Sequence, residues 1–269
     1  MNRVYSATMI YMLTVTLLGT GAAAPTAGRD NTCLALDDGT EITLIDASGS
    51  PLKRLADAGL PRDRLTRVII THEHLDHTFG LPSLVQSLWL LGRREPLPIY
   101  ALDATWRRLD RLLEAYAPSL QRSMIPLERH TIEPGPDPIL TTSSCHIRVA
   151  PGQHSVPTVG LRVDTASGTL VYTSDTAPCA SIAELAQGAD LLLHEATFLA
   201  GAEEEAETHG HSTALQAGQV ATAVGARRLA LVHFTPPRPE DLQRLHEDAT
   251  RSFGGPIVVP SDLERMHLL

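Results

Sequence analysis

The stretch Thr71-His72-Glu73-His74-Leu75-Asp76-His77-Thr78-Phe79-Gly80 constrains this chain more than any other. An apolar run, Leu65-Thr66-Arg67-Val68-Ile69-Ile70, precedes it and reads as a buried strand. A helical pattern follows, opened by Leu81-Pro82 and carried by Leu84, Val85, Leu88 and Leu91. Three histidines and an aspartate therefore fall at a strand-to-helix turn, where side chains can converge on one point. His72 and His74 are two apart and project from the same side while strand geometry persists. Asp76 and His77 come after the turn and reach a second position beside the first. Neutral imidazoles with a carboxylate suit zinc or a related first-row metal. Two such metals about 3.5–4 Å apart form a hydrolytic clamp. The bland alternative, a surface loop rich in histidine, is disfavoured by the specificity of H-x-H-x-D-H behind an apolar strand.

Further chemistry-bearing residues recur at predicted strand ends. His154 follows the strand Ile147–Ala150 and is a natural third ligand for the first metal. Leu161-Arg162-Val163 and Thr169–Tyr172 read as a hairpin about Ser167-Gly168, after which Asp175 is placed to bridge two metals. Asp190–Leu193 is a strand ending in His194-Glu195-Ala196-Thr197-Phe198. An acidic loop with Glu203, Glu204, Glu205 and Glu207 is expected next, then His209-Gly210-His211. Ser212 or Thr213 caps a helix over Ala214–Val224. Leu229–Val232 runs into His233, Pro239–Ser252 is a long helix, and Ile257–Val259 closes the chain as a strand.

The first part reads as a β-meander of Leu13–Leu18, Cys33–Leu36 and Ile42–Ile45. Gly19-Thr20-Gly21 lacks the G-K-[ST] of a phosphate loop and serves a close backbone passage. Asp46 either anchors the metal turn by accepting its backbone N–H groups or is an ordinary turn aspartate. Leu52–Ala58 and Ala104–Tyr116 are helical. Arg107, Arg108 and Arg111 form a solvated face, with phosphate contact as the alternative. His130, His146, His246 and His267 have no partners at ligand spacing, and His209 is undecided. Phe198 and Phe234 belong to a pocket wall or core.

With 269 residues, 43% of them hydrophobic, the chain can bury one large core. No linker or repeat splits it, and strands alternating with helices point to two face-to-face sheets with helices outside. One domain over residues 12–269 is expected, after a lead over residues 1–11. The formal charge of −9 gives no general reason to bind nucleic acid or an anionic membrane. No stretch is apolar for long enough to span a bilayer. Cys33, Cys145 and Cys179 lie far apart, which favours a reducing, cytoplasmic compartment. The alternative is a secreted or periplasmic protein in which residues 1–24 form a cleaved signal peptide.

Taken together, Asp46, the His72-His74-Asp76-His77 turn, His154, Asp175 and His233 resemble the metallo-β-lactamase superfamily. Leu18-Gly19-Thr20-Gly21 with Pro25, His194–Phe198 and His211-Ser212-Thr213 resemble its ribonuclease Z-like branch. The resemblance covers nearly all of residues 12–269. It implies an α/β fold, the αββα four-layer sandwich, and two zinc ions per chain, with manganese or iron as alternatives. His72, His74 and His154 would hold one ion. Asp76, His77 and His233 would hold the other, with Asp175 bridging. In that family a metal-bridging hydroxide attacks phosphorus, and Asp76 positions or deprotonates it. Glu195 would orient His211, which protonates the leaving oxygen or stabilises charge on the phosphoryl group.

The expected activity is hydrolysis of a phosphodiester, either a small molecule or an RNA 3′ end, by a homodimer. Alternatives are tRNA 3′ processing, an arylsulfatase- or lactonase-type reaction on the same clamp, and a non-enzymatic zinc module. Two departures stand out. The branch often inserts a long arm between the segments matching His154 and Asp175, where this chain has a short hairpin. Ala47-Ser48-Gly49-Ser50 stands where the family often has a Cys-Gly turn.

Overall fold

The computed structural model describes residues 13–120, 123–234 and 239–268; the expected lead over residues 1–11 lies outside them. The meander forms as read. Strands β1 (Thr14–Gly19), β2 (Cys33–Asp37) and β3 (Ile42–Ile45) pair antiparallel in sequence order. Gly19 is required where β1 crosses the segment before β2, because a Cβ there would overlap the Asn31 carbonyl oxygen.

From β3 onward the connections become helical and the pairing becomes parallel. Helix α1 (Pro51–Asp57) leads to β4 (Leu65–Ile70). Helices α2 (Leu75–Thr78) and α3 (Leu81–Leu90) lead to β5 (Leu97–Ala101), and α4 (Asp103–Leu120) leads to β6 (Leu127–Thr131). Each of β4, β5 and β6 pairs parallel with its predecessor.

The second sheet repeats the plan. Strands β7 (Leu140–Thr141), β8 (Cys145–Pro151), β9 (Val159–Thr165) and β10 (Gly168–Tyr172) are an antiparallel meander. Then α5 (Ala180–Leu185) leads to β11 (Leu191–Glu195). Helices α6 (Glu203–His209) and α7 (Ala214–Ala223) lead to β12 (Leu229–Val232), and α8 (Pro239–Thr250) leads to β13 (Ile257–Val258). Strands β11 to β13 are parallel to one another and to β10.

Three apolar layers hold these elements in the expected αββα order. Leu17, Leu34, Ile45 and Ile69 of the first sheet meet Ile147, Leu161, Leu193 and Val232 of the second. The outer face of the first sheet packs Val68, Ile70 and Ile99 against Leu55, Leu84 and Leu109 of its helices. The outer face of the second packs Val171, Leu192 and Leu231 against Ile182, Ala217 and Leu245. Each of the buried Val, Leu and Ile side chains contributes about 1.5–3 kcal/mol by leaving water.

Several expectations need correction. Glu203–Glu207 belong to helix α6 rather than a loop, and the helix is ended by Gly210 at φ 72°. The mixture of Glu, Ala and Thr gave no apolar face, since only Ala206 of this helix is buried. The strand after α8 does not close the chain. Residues 265–267 return to the first sheet as β14 (Arg265–His267), antiparallel to β1. Strand β6 was also missed, because an exposed edge strand of Leu, Glu, Arg, His and Thr carries no apolar alternation.

Helix α7 shows local sequence acting directly. The Thr213 hydroxyl accepts the Gln216 N–H at 3.2 Å, and the Gln216 side chain accepts the Thr213 N–H at 2.9 Å. This reciprocal box caps the helix that follows His211. Thr213→Ala should lower the free energy of unfolding by about 1 kcal/mol in urea titration, and Thr213→Ser should restore it. An unchanged midpoint in Thr213→Ala would show that the box is idle.

Candidate metal centre

All the singled-out residues except His211 follow or end strands at one rim of the sandwich. Asp46 follows β3, His72 and His74 follow β4, and Asp76 and His77 lie on α2. His154 comes after β8, Asp175 after β10 and His233 after β12, while Glu195 ends β11. The rim lies at the carboxyl ends of the strands where each sheet switches from antiparallel to parallel, the place where open α/β sheets form crevices.

Two groups of side chains converge there, sharing one carboxylate. Ligand atoms of His72, His74, His154 and Asp175 lie within 4.8 Å of one another, and so do those of Asp76, His77, Asp175 and His233. In the first group, His154 Nε2 faces His74 Nδ1 at 3.0 Å, and its Nδ1 donates to the Gly210 carbonyl at 2.7 Å. In the second, His233 Nε2 lies 3.1 Å from Asp175 Oδ2 and 3.4 Å from Asp76 Oδ2. His77 Nε2 lies 3.4 Å from Asp175 Oδ2.

The backbone is bent to achieve this. Among the described residues four non-glycine positions have positive φ, and three of them are Asp46 (63°), Ser174 (54°) and His233 (53°). Each such position costs about 1–2 kcal/mol, and strain of this kind gathers at functional sites.

Asp46 is buried and fixes the turn. Its Oδ1 accepts the Thr71 N–H at 2.8 Å and its Oδ2 accepts His77 Nδ1–H at 2.7 Å. Burial pushes the Asp46 carboxyl up, against the pull of His77 and Thr71. Burial would lower His77, but Asp175 and Asp46 on its two nitrogens raise it well above the ordinary range. The Ala47–Ser50 turn packs on the same segment: Gly80 N–H donates to the Ala47 carbonyl at 2.8 Å. A Cβ on Gly80 would sit 2.6 Å from that oxygen, so the glycine permits the approach.

A second buried carboxylate, Glu195, does comparable work in the other sheet. Its Oε1 accepts the Thr176 N–H at 2.9 Å and His211 Nδ1–H at 2.8 Å. Burial would lower His211, yet the hydrogen bond and charge of Glu195 raise it overall. Asp76 and Asp175 also oppose burial: His233 and His77 beside them hold both carboxyls well below the usual range. His72, surrounded by the core and next to His77, is driven toward its neutral form.

The donor set fits divalent metal ions. His72 Nε2, His77 Nε2 and Asp175 Oδ1 are buried with no hydrogen-bond partner. Such groups cost about 1–3 kcal/mol each when unsatisfied. His72 Nε2 and His77 Nε2 face Asp175 Oδ2 at 3.7 and 3.4 Å, where a cation would engage them, and neutral imidazole with carboxylate is a zinc-type donor set.

The family model for the "Beta-lactamase superfamily domain" matches residues 42–234. The chain belongs to the beta-lactamase superfamily. Within this superfamily it is similar to curated proteins named Ribonuclease Z. That of Methanothermobacter thermautotrophicus is 30% identical over 272 residues, covering 83% of this chain and 87% of the relative. That of Nocardia farcinica is 32% identical over 300 residues, covering 94% and 96%. The metallo-beta-lactamase fold protein YhfI from Bacillus subtilis superposes with a TM-score of 0.79 at 25% identity, covering 95% of this chain and 98% of that one. Human tRNase Z, short form, has the same fold, with a TM-score of 0.78 at 24% identity over 95% and 99% of the two chains.

The superfamily motif does not name every residue that shapes the rim. Thr71, Gly210 and Thr197 were given no role, although each bonds a singled-out side chain. Gly210 had a signal, a glycine between two histidines. A Cβ there would lie 2.6 Å from His154 Cα. The undecided His209 is exposed and stacks near Phe198, with ring centroids 6.4 Å apart. His130 stacks on Tyr100 at 4.4 Å, and His146, His246 and His267 are exposed.

Asp46→Ala removes the acceptor of two buried N–H groups. It should destabilise the protein by about 3 kcal/mol in denaturant unfolding and weaken metal uptake measured by elemental analysis. Wild-type stability would show that water replaces the carboxylate.

Proposed function

We propose that this chain is a metal-dependent hydrolase of phosphodiester bonds that uses two zinc-type ions held by the two His/Asp groups. The observation that carries the reading is the Glu195–His211 pair, 2.8 Å apart, beside both groups. His72, His74 and His154 would hold one ion, and Asp76, His77 and His233 the other, with Asp175 shared. Bound metal supplies Lewis-acid activation of water and charge stabilisation at the phosphoryl oxygens.

The chain's own residues do the rest. The Asp76 carboxylate, kept ionised by His233 and His77, accepts and orients the attacking water's proton. His211, with Nδ1 tied to Glu195, presents its other nitrogen as the proton donor to the leaving oxygen. Asp46 keeps the turn that carries Asp76 and His77 in place.

Similarity to the ribonucleases Z over most of both chains supports an RNA 3′ end as substrate. A small phosphodiester is the second reading, favoured by the tight β9–β10 connection through Ala166-Ser167, which leaves no RNA-gripping arm there. The free cysteines Cys33, Cys145 and Cys179 support a reducing compartment. Among the described residues no helix is long and apolar enough to cross a membrane. The homodimer implied by the family resemblance is part of the proposal.

Bis-p-nitrophenyl phosphate, p-nitrophenyl sulfate and a precursor tRNA, assayed in parallel, test the reading. Cleavage at the tRNA 3′ trailer would support the RNA substrate, and cleavage of the synthetic phosphodiester alone the small one. Turnover of the sulfate alone would overturn the phosphodiesterase assignment.

His211→Ala should keep its metal but lose about 10²–10⁴-fold in turnover; unchanged turnover would remove its assigned role. The pH profile separates acid from scaffold. His211 acts while protonated, and Glu195 raises its pKa, so activity should fall only as pH rises through that raised value. Glu195→Gln should therefore move the alkaline limb to lower pH. A limb that stays in place would mean that His211 is not the acid.

A further inference from the structure

The Thr197 hydroxyl stands where four acceptor or donor atoms meet, and it has one proton. Glu195 Oε2 lies 2.8 Å away, the His233 carbonyl 3.0 Å, His233 Nδ1 3.1 Å and His211 Nδ1 3.3 Å. The proton's strongest acceptor is the Glu195 carboxylate, since charge-assisted hydrogen bonds outweigh neutral ones. His211 Nδ1 already has a better partner, Glu195 Oε1 at 2.8 Å. The lone pairs of Thr197 are then left for one donor, the Nδ1–H of His233. Among the described residues, that proton has no hydrogen-bond acceptor other than Thr197.

We infer that Thr197 is a positioning residue that holds the His233 ring with its proton on Nδ1, leaving Nε2 as the ligand atom facing Asp76 and Asp175. The inference rests on the proposed metal reading and adds to it a division of labour. Glu195 sets both imidazoles, His211 directly and His233 through the threonine hydroxyl. The relay runs His233 Nδ1–H to Thr197 Oγ, then Thr197 Oγ–H to Glu195 Oε2. A metal-facing nitrogen must be unprotonated, so fixing the tautomer in advance favours uptake at this group alone. The hydroxyl also lies against the carbonyl of His233, whose backbone is at φ 53°. The first group has a counterpart of its own, since Thr71 Oγ lies 3.0 Å from His72 Nδ1 and 3.0 Å from Asp46 Oδ2, so Thr197 acts on the second group only.

Thr197→Val keeps the side chain's shape and removes the relay. Apo protein should be titrated with zinc against a chromophoric chelator, and with cobalt(II) read by its visible spectrum. The wild type should show two tight sites. Thr197→Val should weaken one of them by about 10–100-fold and leave the other unchanged. Thr197→Ser, which retains the hydroxyl, should restore wild-type affinity. In a His233→Ala background Thr197→Val should add no further loss, because the effect passes through that ring. Wild-type affinity at both sites in Thr197→Val, or a Thr197→Ser variant as weak as the valine, would overturn the inference. Nitrogen NMR of the metal-loaded wild type reads the same point without a variant. A protonated Nδ1 on His233 is expected, and an unprotonated one overturns the relay. A wild type that takes up two ions but cleaves no phosphodiester would refute the proposed function and leave this inference standing.

Discussion

Two buried carboxylates hold the rim of this sandwich together, and both span the strand pair at which a sheet turns from antiparallel to parallel. Asp46, at the end of β3, takes the backbone N–H of Thr71 at the end of β4 and the Nδ1–H of His77. Glu195, at the end of β11, takes the backbone N–H of Thr176 beyond the end of β10 and the Nδ1–H of His211. Each therefore joins two neighbouring parallel strands where their ladder ends and aims one imidazole. The two carboxylates sit on opposite members of their pairs, so the similarity lies in the chemistry rather than in strict symmetry. A buried carboxylate is costly without partners. Here three or more hydrogen bonds offset that cost and fix side chains that would otherwise sample several rotamers.

That anchoring explains why strain concentrates where it does. Asp46, Ser174 and His233 adopt positive φ; the first two stand at the exits of the central strands β3 and β10, and His233 at the exit of β12, beside the edge strand β13. A strand that leaves the sheet normally carries its next side chain away along the strand axis. A residue in the left-handed region turns the chain sharply instead, so Asp46 points back at its neighbour and Asp175 turns into the gap between sheets. Aspartate and histidine tolerate this conformation better than most residues, and the core on either side, with Ile45, Tyr172 and Val232 buried, supplies the rigidity that sustains it.

Much of this was legible in the sequence, for identifiable reasons. Fully buried strands such as Leu65–Ile70 and Leu229–Val232 announce themselves as short apolar runs, and the residues that follow them mark the rim. The metal-type donors were legible because His-x-His-x-Asp-His has few other uses. What escaped lacks such a signal. Strand β6 is exposed and polar, and β14 is three residues long and pairs across more than 240 positions of sequence. Helix α6 is acidic on nearly every side and so looks like a solvated loop. The role of Gly210 depends on its contact with His154, more than fifty residues away, which no local pattern encodes. Thr197 sits inside a quoted motif, yet its function emerges only when Glu195, His211 and His233 are seen to share one hydroxyl.

The two donor groups differ in a way that orients whatever enters. His77, Asp175 and His233 are buried, and Asp76 is nearly so, which encloses the second group and gives it two carboxylates. The first group has one carboxylate and keeps His74 and His154 half exposed. The His74 and His154 side is therefore the one open to solvent. On that side the His211 ring lies edge-on to His154, 4.8 Å between centroids, and stacks toward His233 at 5.6 Å. The His211 imidazole thus stands at the mouth over both groups, while the more acidic group lies behind. The rim has an enclosed, carboxylate-rich floor and an open edge at His211, and Glu195 touches the supports of both, bonding His211 directly and Thr197 beside His233.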